Sequence, residues 1–230
     1  PGPVMFIDRY PSSVGGADDG GWIIYSNNGN NDITYAYTTD NGDTWTTGVA
    51  ISSVSGADLF EPCIARIGSE DKWVMIIRDN SGGSAWIAKS TDMLNWSNVQ
   101  DTGISMGVNP PLLHYFNGKF WWVVPSRKHI NKEIDSYGNN ILHQSKDANL
   151  IWDDLTAWPG WAVFSSGEPG NTTYFDIQKI HGRMVLMGGI NETFPGSAQG
   201  GVYKGRLDGN KPVSFDHKVK TDENFVVKTR

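Results

Sequence analysis

The residues able to do chemistry lie singly along the 230-residue chain and form no compact motif. Six carboxylates stand at strand starts or in loops: Asp8, Glu61, Asp79, Glu168, Asp176 and Glu192. Brought together in twos or threes they would supply an acid and a base, which cleavage of a glycosidic bond requires. Their spacing singles out no triplet. Loops at 26–31, at 137–140 and at Trp158-Pro159-Gly160-Trp161 combine amides and small residues with aromatic rings. Such loops suit carbohydrates, because ring faces stack on sugar C–H surfaces while amides satisfy hydroxyls. Trp158 and Trp161 are thus candidate ligand platforms. The five His show no metal-ligand spacing, and the acidic stretches at Asp18-Asp19 and 27–32 read as solvated loops before they read as calcium sites. No metal and no cofactor is expected. Gly103-Ile104-Ser105-Met106-Gly107 matches a nucleophile elbow in letters only, since Asn109-Pro110-Pro111 follows where a helix would be needed.

The elements that must position these groups are strands. Four apolar runs look alike, at 21–26, 72–78, 119–125 and 183–188, each rich in Trp, Ile, Val or Met. Strand-like segments precede three of them at 60–67, 111–116 and 174–180. Asn117-Gly118 and His181-Gly182 supply the short turns of hairpins. Beyond the first run, 33–38 alternates Ile33, Tyr35 and Tyr37 against Thr34, Ala36 and Thr38, then turns at Asp40-Asn41-Gly42 and reaches Trp45. Related turns are Ser90-Thr91-Asp92-Met93-Leu94-Asn95-Trp96 and Ser145-Lys146-Asp147-Ala148-Asn149-Leu150-Ile151-Trp152, where Asn149 takes the place of Gly. The three turn Asp residues are 52 and 55 positions apart. A repeat near fifty residues, all strand and turn, predicts an all-β propeller of four-stranded antiparallel blades.

Composition agrees. Ten Trp, nine Phe and eight Tyr carry the apolar weight, and 27 Gly with 11 Pro signal frequent tight turns. A net charge of −6 argues against nucleic acid as a partner, and no apolar run is long enough for membrane insertion. The single Cys63, between Pro62 and Ile64, is expected as a buried thiol. At about 46 residues per blade the length predicts five blades, with strand-like pieces at 4–9, 213–218 and 224–228 joining the chain ends in one blade to close the ring. The whole of 1–230 is taken as one propeller domain. Pro1-Gly2-Pro3 looks like a cleavage remnant and leaves a longer parent protein open.

Thr38-x-Asp40-x-Gly42-x-Thr44-Trp45 resembles the Asp box (BNR repeat) of sialidase-like β-propellers, S/T-x-D-x-G-x-T-W, without a mismatch. In that family the Asp ties down the turn and the Trp packs between sheets; Trp22, Trp45, Trp73, Trp96 and Trp152 are expected in the core between blades. It reaches further, more faintly. Phe60-Glu61-Pro62 followed by Trp73 to Arg78 resembles the blade in which a Glu opens one strand and an Arg closes the next. Tyr174 with Gly182 after it resembles the segment carrying the catalytic Tyr, and Arg9-Tyr10-Pro11 echoes an Arg-Ile-Pro start. The resemblance then implies Glu61 as base to a nucleophilic Tyr174, Asp18 or Asp19 as acid, and Arg9, Arg78 and Arg127 as clamps on a sugar carboxylate. The family's catalytic domains are longer and six-bladed. Five-bladed glycosidases of arabinanase and fructosidase type, which the Ser90–Trp96 turn also resembles, use three carboxylates instead.

The expected function is glycan recognition at the axial face, as a receptor-binding module on a cell-surface or phage-tail appendage. The alternative is a glycoside hydrolase with Glu61, Tyr174 and Asp19 as catalytic groups. The expected partner is a glycan or polysaccharide, within a larger oligomeric appendage, at an extracellular or virion-surface location.

Overall fold

The computed structural model describes residues 6–9, 21–81, 83–105, 110–126, 140–158, 162–165, 171–180, 183–191, 200–207 and 215–219; side chains are described within 21–81, 83–104, 110–123 and 146–158. Four antiparallel sheets follow one another along the chain. The first holds β1 (Phe6–Arg9), β2 (Trp22–Asn27), β3 (Ile33–Thr38) and β4 (Thr46–Ile51), and the second β5 (Leu59–Arg66), β6 (Trp73–Asp79), β7 (Ser84–Ser90) and β8 (Ser97–Ser105). The third holds β9 (Leu112–Phe116), β10 (Lys119–Ser126), β11 (Asn140–Asp147) and β12 (Ala162–Ser165), and the fourth β13 (Asn171–Ile180), β14 (Arg183–Asn191), β15 (Gly200–Leu207) and β16 (Phe215–Val219). Every strand pairs with its sequence neighbour. Between sheets, β1 packs against β5, β5 against β9 and β9 against β13, so the first strands form the inner layer of a propeller.

Second strands explain the apolar runs. All seven residues of β6 are buried, because its two faces pack on different sheets. Trp73, Met75 and Ile77 join Ile23 and Tyr25 of β2 in one core, while Val74 and Ile76 join Phe120 and Trp122 of β10 in the next. Each such side chain, out of water, contributes roughly 1.5–3 kcal/mol. The hairpin at Asn117-Gly118 forms with φ of 50° and 75°, the pattern that lets two strands with right-handed twist meet. Cys63, half-buried, accepts the Leu113 N–H at 3.2 Å and ties β5 to β9.

The Asp turns lock themselves. Asp40 accepts the Thr38 hydroxyl at 2.6 Å and the Thr44 N–H at 2.9 Å, and the Trp45 indole donates to the Gly42 carbonyl at 3.0 Å. These bonds, from Thr38 and then Thr44, hold its carboxyl down at about 2. At the second turn Asp92 accepts from the Leu94 and Asn95 N–H groups, while Trp96 donates to the Met93 carbonyl. Met93, at φ 62°, stands where Gly42 stands in the first turn.

The described residues form four four-stranded sheets, with β1 paired to β2 and β16 to β15, while the strand-like pieces expected to close a five-bladed ring lie partly outside the described residues. Three expectations need correction. Trp45 is 44% exposed and does not pack between sheets, whereas Trp96 meets Tyr25 of the preceding blade edge-on at 6.0 Å. The third turn is a short helix, α1 (Ala148–Asp153), capped by Asp147, with Asn149 inside it and not at a positive φ. It forms because Ala148 and Ile151, on one helical face, reach the core that Phe120 and Trp122 line. Trp158, expected as a ligand platform, is half-buried with its ring edge-on to Trp122 at 5.2 Å, and belongs to the same core.

Candidate active site

Strand β5 carries an irregularity where its sequence changes character. Phe60 pairs with Arg78 and Pro62 with Ile77, so Glu61 is an extra residue, a bulge. Its φ is 49°, a left-handed conformation that side chains other than Gly rarely adopt. Pro62 offers no N–H to a ladder, and bulges are where sheets accept proline. The bulge turns the Glu61 carboxylate onto Nε of Arg78, forming an ion pair with both side chains nearly out of water. On its other side the Arg78 guanidinium lies over the Phe60 ring, 4.9 Å from the centroid. Such an arrangement is a fixed negative charge held by a fixed positive one.

The loops beside it are clamped. Asp79 accepts the Asp58 N–H at 3.1 Å and both the N–H and hydroxyl of Ser81, at 2.9 and 2.7 Å. Asn80 donates from its backbone to the Asp58 carbonyl and from its amide to the Asp58 carboxylate, each at 2.8 Å. Gly83 is confined, since a Cβ there would meet the Asp79 carboxyl carbon at 3.2 Å. Asp79, one of the six candidate carboxylates, is therefore engaged in holding the β6–β7 turn.

Backbone register places the remaining candidates. Strand β13 also has a bulge, between Thr173, opposite Gly189, and Phe175, opposite Gly188, and the extra residue is Tyr174. Hairpin ends give a common origin: Ile67 donates to Lys72 at 2.9 Å, and Ile180 pairs with Arg183. Counted back from those ends, Pro62 and Phe175 fall at the same place, so Glu61 and Tyr174 occupy the same depth on two inner strands. Arg9 does not join them. It pairs with Trp22 as Arg66 pairs with Trp73, and both of these Trp face the turn hydroxyls, Thr38 and Ser90. That position is the hairpin end of the inner strand, about 16 Å of strand from the Glu61 level at ~3.3 Å per residue. Asp8 shares the register place of Ala65, four residues along from Glu61. Asp18, Asp19, Arg127, Trp161, Glu168 and Glu192 lie outside the described residues.

Arg66 is separately employed. It pairs with Asp71 at 2.8 Å, donates to the Ser69 and Glu70 carbonyls and lies over Trp73, so it offers no alternative partner to Glu61. Sequence reasoning missed Phe60 as the third member of the site. The available sign was Pro62, whose place inside an apolar strand marks a bulge and hence an extra, re-aimed neighbour. Among the described residues no three His, Cys, Asp or Glu side chains gather to hold a metal, and no helix is long and apolar enough to cross a membrane.

Comparison with known proteins adds to this geometry. No family model matches the chain. A levanase from Bacillus sp. (strain L7) is 28% identical over 219 residues, spanning 82% of this chain and 22% of that protein. The solved endo-arabinase of Bacteroides thetaiotaomicron is similar over 96% of this chain and 81% of its own, with a TM-score of 0.60 at 12% identity. A sialidase from Streptococcus pneumoniae is similar over 80% of this chain and 27% of its own, with a TM-score of 0.53 at 14% identity. The fold is a β-propeller. It is the fold of glycosidases and sialidases, and the chain spans about a fifth of the levanase that it matches.

Proposed function

We propose that this propeller is a glycoside hydrolase unit acting on a polysaccharide, with Glu61 as a catalytic carboxylate at the axial end of the inner strands. The observation that carries the proposal is the Glu61 bulge, in which a strained backbone and a buried ion pair hold one carboxylate at the start of an inner strand. Strain of this kind persists only where the surroundings over-determine it, and it concentrates at functional sites. The similarity to a levanase and to propeller glycosidases favours hydrolysis over the receptor-binding reading, and makes fructans and arabinans the first substrates to try. The reaction breaks the glycosidic C–O bond, adds the oxygen of water to the anomeric carbon, and returns a proton to the leaving oxygen.

Glu61, charge-paired with Arg78, is suited to stabilise positive charge at the anomeric carbon or to take a proton from a nucleophile. Tyr174, at the same depth on β13, is the group from which it would take that proton. A second acid must protonate the leaving group, and Asp19 remains the proposal for it. The polymer substrate in turn implies work outside the cell.

Incubation with levan, inulin, arabinan and a sialylated glycan, followed by reducing-sugar and sialic acid assays, tests the reading. Release of sugar from at least one, falling by about a hundredfold or more in Glu61→Gln with circular dichroism unchanged, is the expected result. Binding on a glycan array with no product would return the chain to glycan recognition without catalysis.

A further inference from the structure

The sialidase resemblance implies a clamp role for Arg78, but its surroundings point to another task. A clamp must present the edge of its guanidinium to an incoming anion. Arg78 is 5% exposed, its flat face covers the Phe60 ring, and its Nε edge is taken by the Glu61 carboxylate. Phe60 and Arg78 are direct cross-strand partners, and Glu61 is the residue squeezed out between that pair and the next. Ring, guanidinium and carboxylate thus form one stack, built on the two strands that create the bulge. Nothing in Glu61's own backbone favours its conformation, since φ of 49° disfavours any side chain. Pro62 fixes its own φ and disfavours the right-handed helical region for Glu61 before it, and the ion pair with Arg78 restrains the side chain further.

We infer that Arg78 is a positioning residue: it anchors Glu61 in the bulge and aims its carboxylate, and it does not bind the substrate. Its catalytic consequence rests on the hydrolase reading of Glu61. The anchoring itself does not, and the two can be tested apart.

Carboxyl carbons of glutamate, labelled with ¹³C, are followed by NMR through an acid titration of wild type, Arg78→Lys and Arg78→Met, with Glu61→Gln assigning the signal. Loss of the paired cation should raise the Glu61 midpoint by about one pH unit or more in Arg78→Met, with Arg78→Lys between. An unchanged midpoint in both variants overturns the anchoring whatever the activity. With levan as a neutral substrate, kcat should fall about tenfold or more in Arg78→Met while KM stays within about twofold, and Lys should recover part of it. A clamp would do the reverse, raising KM with kcat retained, and only on anionic sugars; that result overturns the inference. A moved midpoint in a protein that hydrolyses none of the glycans keeps the anchoring and rejects the hydrolase reading. Should Arg78→Met fail to fold, Arg78→Lys carries the same comparison.

Discussion

Replacing Glu61 by Gly acts on the site in two opposed ways, and the structure allows both to be sized. Glycine removes the left-handed penalty at φ 49°, about 1–2 kcal/mol, and gives back part of it through the greater freedom of its unfolded chain. The same change leaves the Arg78 guanidinium nearly buried and without its carboxylate, which costs about 3–5 kcal/mol in comparable pairs. Glu61→Gly should therefore lose about 2–4 kcal/mol. Arg78→Met removes the carboxylate's paired cation instead and should lose about 3–5 kcal/mol, although the methionine still packs on Phe60. In the double variant neither charge remains and the backbone is relaxed, so its stability should lie within about 1 kcal/mol of wild type or above it. The coupling between the two substitutions is then at least ~3 kcal/mol, far outside additivity. Urea unfolding followed by tryptophan fluorescence measures all four proteins. Additive losses, or a single substitution within ~0.5 kcal/mol of wild type, would refute the claim that strain and ion pair hold one another.

Two further outcomes follow from the turns. Asp40, at about 2, and Asp92 have folded carboxyls below the usual aspartate range; at Asp92 burial pulls upward, and bonds from Asn95, Leu94 and Ser90 outweigh it. For Asp40 the depressed folded value means that its contribution is complete above about pH 4 and is lost as pH falls toward 2, and the contribution of Asp92 is lost in the same direction. Thermal scans should show the midpoint dropping across that window, and dropping less steeply in Asp40→Asn. The two turn tryptophans should also part company. Trp96→Ala, which strips the edge contact with Tyr25, should lose about 2–4 kcal/mol in the urea assay, whereas Trp45→Ala, on a 44% exposed ring, should stay within about 1 kcal/mol.

Strands and hairpins were legible because their signals are local. The run from Trp73 to Ile77 reads as apolar on both faces, and its burial matches packing between two sheets. Asn117-Gly118 closes the hairpin its dipeptide announces. At the third turn the local signal misleads, since Asp147 caps a helix as readily as it ties a turn, and the packing of Ala148 and Ile151 decides between them. Glu61 and Arg78 were visible as charged residues at strand ends. Their pairing with one another was not, because it depends on a one-residue slip in the ladder. Arg9 shows the converse: a promising arginine that register carries to the wrong end of its strand. Trp158 looked free to stack on a sugar because the loop around it is polar, while the fold turns its ring inward onto Trp122.

The Asp40 and Asp92 turns share one further property. Each ties its Asp carboxylate and its indole N–H within its own few residues, whether its tryptophan is covered by the blade before it, as Trp96 is, or lies open, as Trp45 does; at the second turn the Met93 carbonyl also accepts the Tyr25 hydroxyl of that blade. The clip needs no neighbour in order to close. Turn formation is thus local, whereas the apolar faces of the strands depend on the neighbouring blade for burial.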